Sequence, residues 1–123
     1  MKREIQFRGK RVANNEWIYG SYAQVLDIDR NPSIIPFGDN RFFGVIPETV
    51  GQFINRHDIN DKPVYESDNL KCKDLYTGLE FTGTVEFQDC SFVIKNDCVT
   101  HYRWMDYEVE VVGNVWESGE KGG

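Results

Sequence analysis

The residues best suited to nucleophilic catalysis lie close together near the end of the chain. Cys98 is followed three residues later by His101 and preceded by Asp97, which together supply a thiol, an imidazole and a carboxylate. Three residues along an extended strand place two side chains on opposite faces, so we predict that the thiol and the imidazole do not meet. We expect that the protein is not an enzyme and that it has no catalytic residues.

The spacing of the thiols and imidazoles does not favour a metal site. The three cysteines, at positions 72, 90 and 98, are separated by eighteen and eight residues, and His57 and His101 lie far apart. Zinc sites are built from closely spaced pairs of such ligands. Cys90 and Cys98 could face each other across a hairpin, but lone cysteines are usually small buried hydrophobic residues. We predict no metal, no cofactor and no cofactor-binding residues.

Residues 58–63 superficially match the start of a calcium-binding loop. Lys62 stands where an oxygen ligand is required, and Pro63 stands where the sharp turn requires glycine. We therefore interpret the segment as a solvated polar loop. Paired carboxylates such as Glu108 and Glu110 are likewise interpreted as charges on solvent faces.

The charge of the chain is negative and uneven. Fourteen basic and twenty acidic side chains give a net charge of −6, the wrong sign for a protein that holds nucleic acid by neutralising phosphates. Residues 1–41 carry seven Lys or Arg against five Asp or Glu, and residues 42–123 carry seven against fifteen. The acidic part could imitate a DNA phosphate array, but its acids are dispersed among basic residues.

The basic N-terminal part interleaves cations with aromatic residues, as proteins that bind single-stranded nucleic acid do. These residues are Lys2, Arg3, Arg8, Lys10 and Arg11, with Phe7, Trp17 and Tyr19. We interpret the cations as outward-facing charges on an edge hairpin whose aromatic residues lie in the core. Nucleic-acid binding stays an alternative.

Alternating apolar residues and turn residues predict short strands throughout. An opening hairpin is predicted from residues 4–12 and the strand that begins at Trp17, with its turn at Asn14 and Asn15. Prolines and scattered charges predict a long exposed loop at about 27–40. Residues 49–54 offer a strand or one helical turn beginning at Pro47, and we favour the strand.

The second half of the sequence contains the clearest strand, residues 79–87. Gln88 and Asp89 predict a hairpin turn into a strand at 92–94, Asn96 and Asp97 predict another turn, and a Val-rich strand is predicted at 107–115. Helical periodicity is almost absent. We predict an all-β protein with an N-terminal β subdomain (1–54), a barrel-like or sandwich-like β unit (55–118) and a flexible tail (119–123).

Cysteine usage and hydropathy indicate a cellular compartment. No apolar run approaches the roughly 20 residues that cross a bilayer, and the first residues do not match a signal peptide. An odd number of cysteines favours reduced thiols. We predict a cytoplasmic protein that does not bind a membrane.

Five sequence blocks, taken in their order and spacing, point to a known family. They read REIQFRGKR at 3–11, EWIYG at 16–20, IPETVGQF at 46–53, VYESD at 64–68 and VGNV at 112–115. Together they resemble the YopX family of bacteriophage and prophage proteins. This chain keeps the family's usual glycine as Gly51, whereas Ser67 stands where the family usually has glycine and Asn69 where it usually has an apolar residue. The resemblance implies a largely β protein with an SH3-like barrel in its C-terminal part, a tendency to form homo-oligomers and no established activity.

We therefore predict a non-enzymatic phage accessory protein that acts as a homo-oligomeric interaction module in the cytoplasm of the bacterial host. Short aromatic-rich β units can bury their exposed faces and edges by assembling. Its expected partners are copies of itself and an unidentified host or phage protein. The alternatives are a nucleic-acid-binding barrel, which the net charge does not support, and an acidic inhibitor of a host DNA-binding protein.

Overall fold

The computed structural model describes residues 4–23, 31–97 and 99–118. These residues form antiparallel strands, two single 3-10 turns and one short helix, α1 (Val115–Ser118). The prediction of an all-β protein is confirmed. The chain divides into two compact units, Met1–Phe53 and Ile54–Gly123. None of the helices in the described ranges is long and apolar enough to cross a membrane.

The first unit is built on one antiparallel sheet. Its strands are β1 (Phe7–Lys10), β2 (Trp17–Ala23), β3 (Ser33–Ile35), β4 (Phe43–Gly44) and β5 (Gly51–His57), and β5 continues past the unit boundary. Their order in the sheet is β4-β3-β2-β1-β5. The predicted opening hairpin is confirmed, because β1 pairs with β2 and Asn15 adopts the left-handed backbone of a turn, with φ 65°.

The sheet of the first unit curls until the end of β1 meets the residues after β4. Arg11 and Val45 form an antiparallel bridge, and Ile46 N donates to Lys10 O at 2.9 Å. Val45 packs so closely on Gly9 that a Cβ atom at Gly9 would lie 3.1 Å from Val45 Cβ. Glycine at this position therefore allows the sheet to close tightly around its small core.

Two sequence predictions in the first unit need correction. Within the predicted loop at 27–40, residues 33–35 form β3, because they pair with β2 and β4 while the flanking Pro32 and Pro36 lie just outside the ladder. Residues 27–30 lie outside the described part of the chain. The residues Pro47–Thr49 form a 3-10 turn, so the strand favoured there begins only at Gly51.

The second unit contains β6 (Pro63–Tyr65), β7 (Asp68–Asp74), β8 (Glu80–Gln88), β9 (Ser91–Lys95), β10 (Thr100–His101) and β11 (Tyr107–Asn114). Five of these strands form a sheet in the order β10-β9-β8-β7-β11, and a 3-10 turn, Trp104–Asp106, precedes β11. The strands predicted at 79–87 and 107–115 are confirmed. The SH3-like barrel stays a prediction.

The turn between β8 and β9 shows how local chemistry sets the register of the second unit. Asp89 and Cys90 both have left-handed φ angles, 51° and 68°, as a tight two-residue hairpin turn requires. The core beneath this sheet consists of six fully buried residues: Val64, Leu70, Cys72, Val85, Ile94 and Val109. The predicted tail at 119–123 lies outside the described residues.

Candidate functional site

The basic residues of β1 are packed rather than open to solvent. Arg8 and Lys10 are only 6% and 9% exposed, and the guanidinium carbon of Arg8 lies 4.5 Å from the centroid of the Trp17 ring. Lys10 Nζ lies 5.5 Å from the same ring. The prediction of outward charges on an edge hairpin is wrong, because β1 lies between β2 and β5 and Lys10 pairs across the ladder with Trp17. Lys2 and Arg3 lie outside the described residues.

A second group of cations surrounds Phe43. The guanidinium carbons of Arg11 and Arg41 lie 4.6 and 5.2 Å from its ring centroid. Arg41 also forms a forked ion pair with Asp39, whose closest contact, Nη2 to Oδ2, is 2.8 Å. The hydrogen bonds from Arg41 lower the pKa of Asp39 to about 2. Because Asp39 neutralises Arg41, the one positive charge that this cluster offers to a phosphate backbone is that of Arg11.

Asp58 is a structural residue and not part of a solvated loop. Its Oδ1 accepts hydrogen bonds from the N–H groups of Asn60 and Lys62, and its Oδ2 accepts one from Val111 N at 2.9 Å. Burial raises the pKa of Asp58, but the backbone donors together lower it by more than burial raises it. The pKa of Asp58 therefore lies below its ordinary value. The prediction of a solvated polar loop is wrong only at Asp58, because its third donor is distant in sequence; residues 59–63 are exposed.

One thiol and one imidazole, those of Cys72 and His101, serve packing in the second unit. Cys72 is fully buried, and burial raises the pKa of its thiol to about 11. Cys90 is exposed, so the interpretation of lone cysteines as buried is wrong there, since a tight turn holds it at the surface. The His101 ring stacks on Phe81 at 4.2 Å, and its Nδ1 lies 3.1 Å from Tyr107 Oη.

The predictions about a catalytic thiol and about a metal site both involve Cys98. Cys98 lies outside the described part of the chain, so neither its relation to His101 nor its relation to Cys90 is established. Within the described ranges, no group of three or more His, Cys, Asp or Glu side chains is placed to hold a metal ion.

A group of exposed apolar side chains lies on two adjoining turns of the second unit. The turn between β7 and β8 presents Leu75, Tyr76 and Leu79, which are 57%, 82% and 70% exposed, and the 3-10 turn presents Met105, which is 74% exposed. Leu75 N donates to Asp106 O at 2.9 Å, which joins the two turns. We call Leu75, Tyr76, Leu79 and Met105 the apolar tip.

Backbone and side-chain hydrogen bonds fix the first turn of the apolar tip. Asp74 Oδ1 accepts from Tyr76 N at 2.8 Å and from Thr77 N at 3.1 Å. Asp74 N also donates to Leu79 O at 2.8 Å, which closes the turn, and Gly78 adopts φ 77°. The exposed side chains thus project from a preorganised turn, which lowers the entropy lost when a partner covers them.

The second turn of the apolar tip is held from below by Arg56. Its Nη1 donates to Trp104 O at 2.9 Å and its Nη2 donates to Tyr107 O at 2.7 Å, so one guanidinium binds both sides of the turn that carries Met105. The indole N–H of Trp104 donates to Phe92 O at 2.9 Å. Met105 is therefore exposed on a backbone that is anchored on both flanks.

Sequence reasoning missed the apolar tip. Residues 74–79 read DLYTGL, and three large apolar side chains around a Thr-Gly turn were the available signal. An apolar residue in a predicted turn has no core face to occupy, so such residues are candidates for a surface contact.

Charged residues of both signs lie around the apolar tip. Lys71 and Lys73 on β7 lie opposite Glu110 and Glu108 on β11. Arg103 Nε pairs with Asp106 Oδ2 at 2.8 Å, and Lys71 Nζ lies 3.9 Å from Glu80 Oε1. The basic side chains of this region are therefore matched by acidic neighbours within the same chain.

These features define an all-β protein of two compact units that presents a rigid apolar surface on its second unit. The sequence profile described as YopX protein matches residues 6–121, nearly the whole chain. The chain therefore belongs to the YopX family, and the resemblance seen in the sequence is confirmed. A search of curated proteins found no match.

Proposed function

We propose that this protein is a non-enzymatic phage accessory protein that acts as a homo-oligomeric interaction module in the host cytoplasm. The observation that carries the proposal is the apolar tip, whose members Tyr76, Met105 and Leu79 are the three most exposed large hydrophobic residues in the described ranges. Large apolar side chains held in water on a rigid turn are the typical anchors of protein interfaces.

The energy of covering the apolar tip favours a contact in which two copies each contribute a tip. Burying one large apolar side chain is worth roughly 1.5–3 kcal/mol, so four are worth roughly 6–12 kcal/mol. Association costs an estimated 4–15 kcal/mol in lost translational and rotational freedom. Burying one apolar tip against a polar surface would do no more than offset the cost of association. A two-fold contact between two copies buries two tips, so its burial free energy is doubled while the cost of association is met once.

The net charge of the chain opposes self-association. Two chains of net charge −6 repel each other, so the burial of the apolar tip has to supply the free energy that exceeds this repulsion. An unidentified host or phage protein stays a further expected partner.

No observation favours the alternative functions to the same degree. A nucleic-acid-binding barrel would need open cations, but Arg8 and Lys10 are buried against Trp17 and Arg41 is paired with Asp39. An acidic inhibitor of a host DNA-binding protein would need concentrated acids, whereas Glu80, Glu108 and Glu110 each lie opposite a lysine of β7 in the sheet of the second unit.

Analytical ultracentrifugation of the intact chain over a concentration series tests the proposal. We expect the wild type to form oligomers and the double variant Tyr76→Ser/Leu79→Ser to be monomeric at the same concentrations. Phe37→Ser is the matched control, because Phe37 is a 61% exposed aromatic residue of the first unit, outside the apolar tip. A compact wild-type monomer at every concentration would refute self-association, and oligomers unaffected by the double variant would refute the apolar tip as their interface.

A further inference from the structure

The strand β8 changes its pairing partner in the middle. Residues Glu80 to Thr84 pair with β7, while Thr84 to Gln88 pair with β9. Residues 80–83 therefore have a paired strand on one side only among the strands of the described residues. The unpaired side of a strand presents backbone N–H and C=O groups. An extended peptide can form hydrogen bonds with these groups and so add a strand to the sheet.

An open groove of about 720 Å³ lies along this unpaired side. Its walls come from β7, β8 and the turn that follows β9: Asn69, Phe81, Thr82, Gly83, Thr84, Asn96, Asp97 and Val99. The volume is within the range of about 300–1,000 Å³ that is typical of ligand sites. It can hold a short extended peptide.

Two carboxamide groups in the groove have donors to offer. Thr84 Oγ1 donates to Asn69 Oδ1 at 2.8 Å, and Val99 N donates to Asn96 Oδ1 at 3.0 Å. These contacts orient both side chains so that each oxygen is used within the protein, and within residues 31–97 and 99–118 neither Nδ2 group has a protein partner. Such groups suit the carbonyl oxygens of an extended chain.

The negative charge of the groove favours a basic ligand over an acidic one. Asp97 is its single charged lining residue, it is exposed, and no lysine or arginine is present in the lining. An anionic ligand such as a nucleotide or an acidic peptide would meet an unmatched carboxylate there. A peptide with a lysine or arginine opposite Asp97 would be matched in charge.

We propose that this groove binds an extended basic peptide segment of a partner protein, which adds to the unpaired side of β8 as a further strand. The peptide backbone pairs with Thr82, whose N–H and C=O face away from β7 because Phe81 and Gly83 face Cys72 and Leu70. The amide groups of Asn69 and Asn96 bind further peptide carbonyls, and a basic side chain pairs with Asp97. The site is distinct from the apolar tip, so this inference goes beyond self-association and does not depend on it.

Fluorescence anisotropy with the intact chain and a labelled seven-residue peptide of alternating lysine and threonine, which begins and ends with lysine, tests the site. We expect saturable binding in about 0.15 M NaCl, and no binding of the same peptide with its central threonine replaced by proline, which cannot pair as a strand. Because both peptides have the same charge, equal binding of the two would overturn strand addition in favour of non-specific attraction to an acidic protein.

Protein variants locate the site independently. Asp97→Asn should weaken binding about fivefold, the change expected for the loss of one ion pair worth about 1 kcal/mol. Asp89→Asn makes the same change at an exposed carboxylate on the opposite turn of β9 and should leave the affinity unchanged. Equal affinities of the two variants, or amide chemical-shift changes confined to residues other than 80–84 and 96–99, would overturn the proposed site.

Discussion

Asp58 joins two backbone segments of the second unit through a single carboxylate. Its two oxygens accept hydrogen bonds from residues two and four positions later and from Val111, which lies in β11. A buried carboxylate is stable when several donors face it, and the same donors keep it ionised. Asp58 therefore couples the turn after β5 to the last strand of the sheet.

Replacing this carboxylate should produce a stability loss that depends on pH. Asp58→Asn places an NH₂ group opposite one of the former donors, so we expect the free energy of unfolding at pH 7 to fall by about 1–3 kcal/mol. The folded pKa of Asp58 lies below its unfolded value of about 3.9, so its stabilising contribution is complete above that value and is lost as the pH falls through the folded pKa.

Urea unfolding between pH 7 and pH 3 measures this effect. The difference between wild type and Asp58→Asn should stay constant down to about pH 5 and shrink below about pH 4. Asp61→Asn changes an exposed carboxylate of the same turn and should have little effect at any pH. A gap for Asp58→Asn that persists unchanged at pH 3 would contradict the assigned role.

Among the structural elements, the turn between β6 and β7 carries a strained residue. Ser67 has φ 72°, its N–H donates to Val85 O at 2.8 Å and its carbonyl accepts from Val115 N at 3.0 Å. These long-range bonds hold the backbone in the left-handed region, which costs a residue with a Cβ atom about 1–2 kcal/mol. A glycine at this position would avoid that cost because it has no Cβ atom.

Ser67→Gly should therefore stabilise the protein. The relief of strain exceeds the entropy that an additional glycine gives to the unfolded chain, and we expect a net gain of about 1 kcal/mol. Denaturant unfolding should show a higher midpoint with an unchanged slope. Ser67→Ala removes the hydroxyl group but retains the strain, so it should not stabilise. Equal gains from both variants would assign the effect to the hydroxyl group instead.

Elements defined by local chemistry could be predicted from the sequence, and elements defined by distant partners could not. The turn at Asn15 and the strand at 79–87 follow from residue type and alternation alone. By contrast, β3 exists because β2 and β4 lie on either side of it, and the burial of Arg8 follows from the central place of β1 in its sheet. Pairing over long sequence separations has no local signal.

The candidate surfaces follow the same division. The charge of Asp97 and the apolar residues at 74–79 are visible in the sequence, but their exposure depends on where β8 changes partner and on the bond between Leu75 and Asp106. A sequence pattern identifies residues that could bind. The pairing of the strands decides which of them face solvent.

For the molecule as a whole, net charge opposes association while the apolar tip favours it. The chain carries −6, and raising the salt concentration shortens the range of the repulsion between copies, from about 10 Å at 0.1 M to about 3 Å at 1 M. Apolar contacts do not weaken under these conditions. Contacts that depend on opposite charges, including those with a nucleic acid, weaken steeply with salt.

Self-association should therefore strengthen between 50 and 500 mM NaCl. Sedimentation equilibrium of the wild type should give a tighter dissociation constant at the higher salt, because the repulsion between like-charged copies is screened while the apolar tip still excludes water. The double variant Tyr76→Ser/Leu79→Ser, which keeps the net charge of the wild type, should stay monomeric at both concentrations. Oligomers that dissociate as the salt concentration rises would instead indicate an interface of opposite charges. Salt weakens the attraction across such an interface, whereas it can only reduce the repulsion between copies of like net charge.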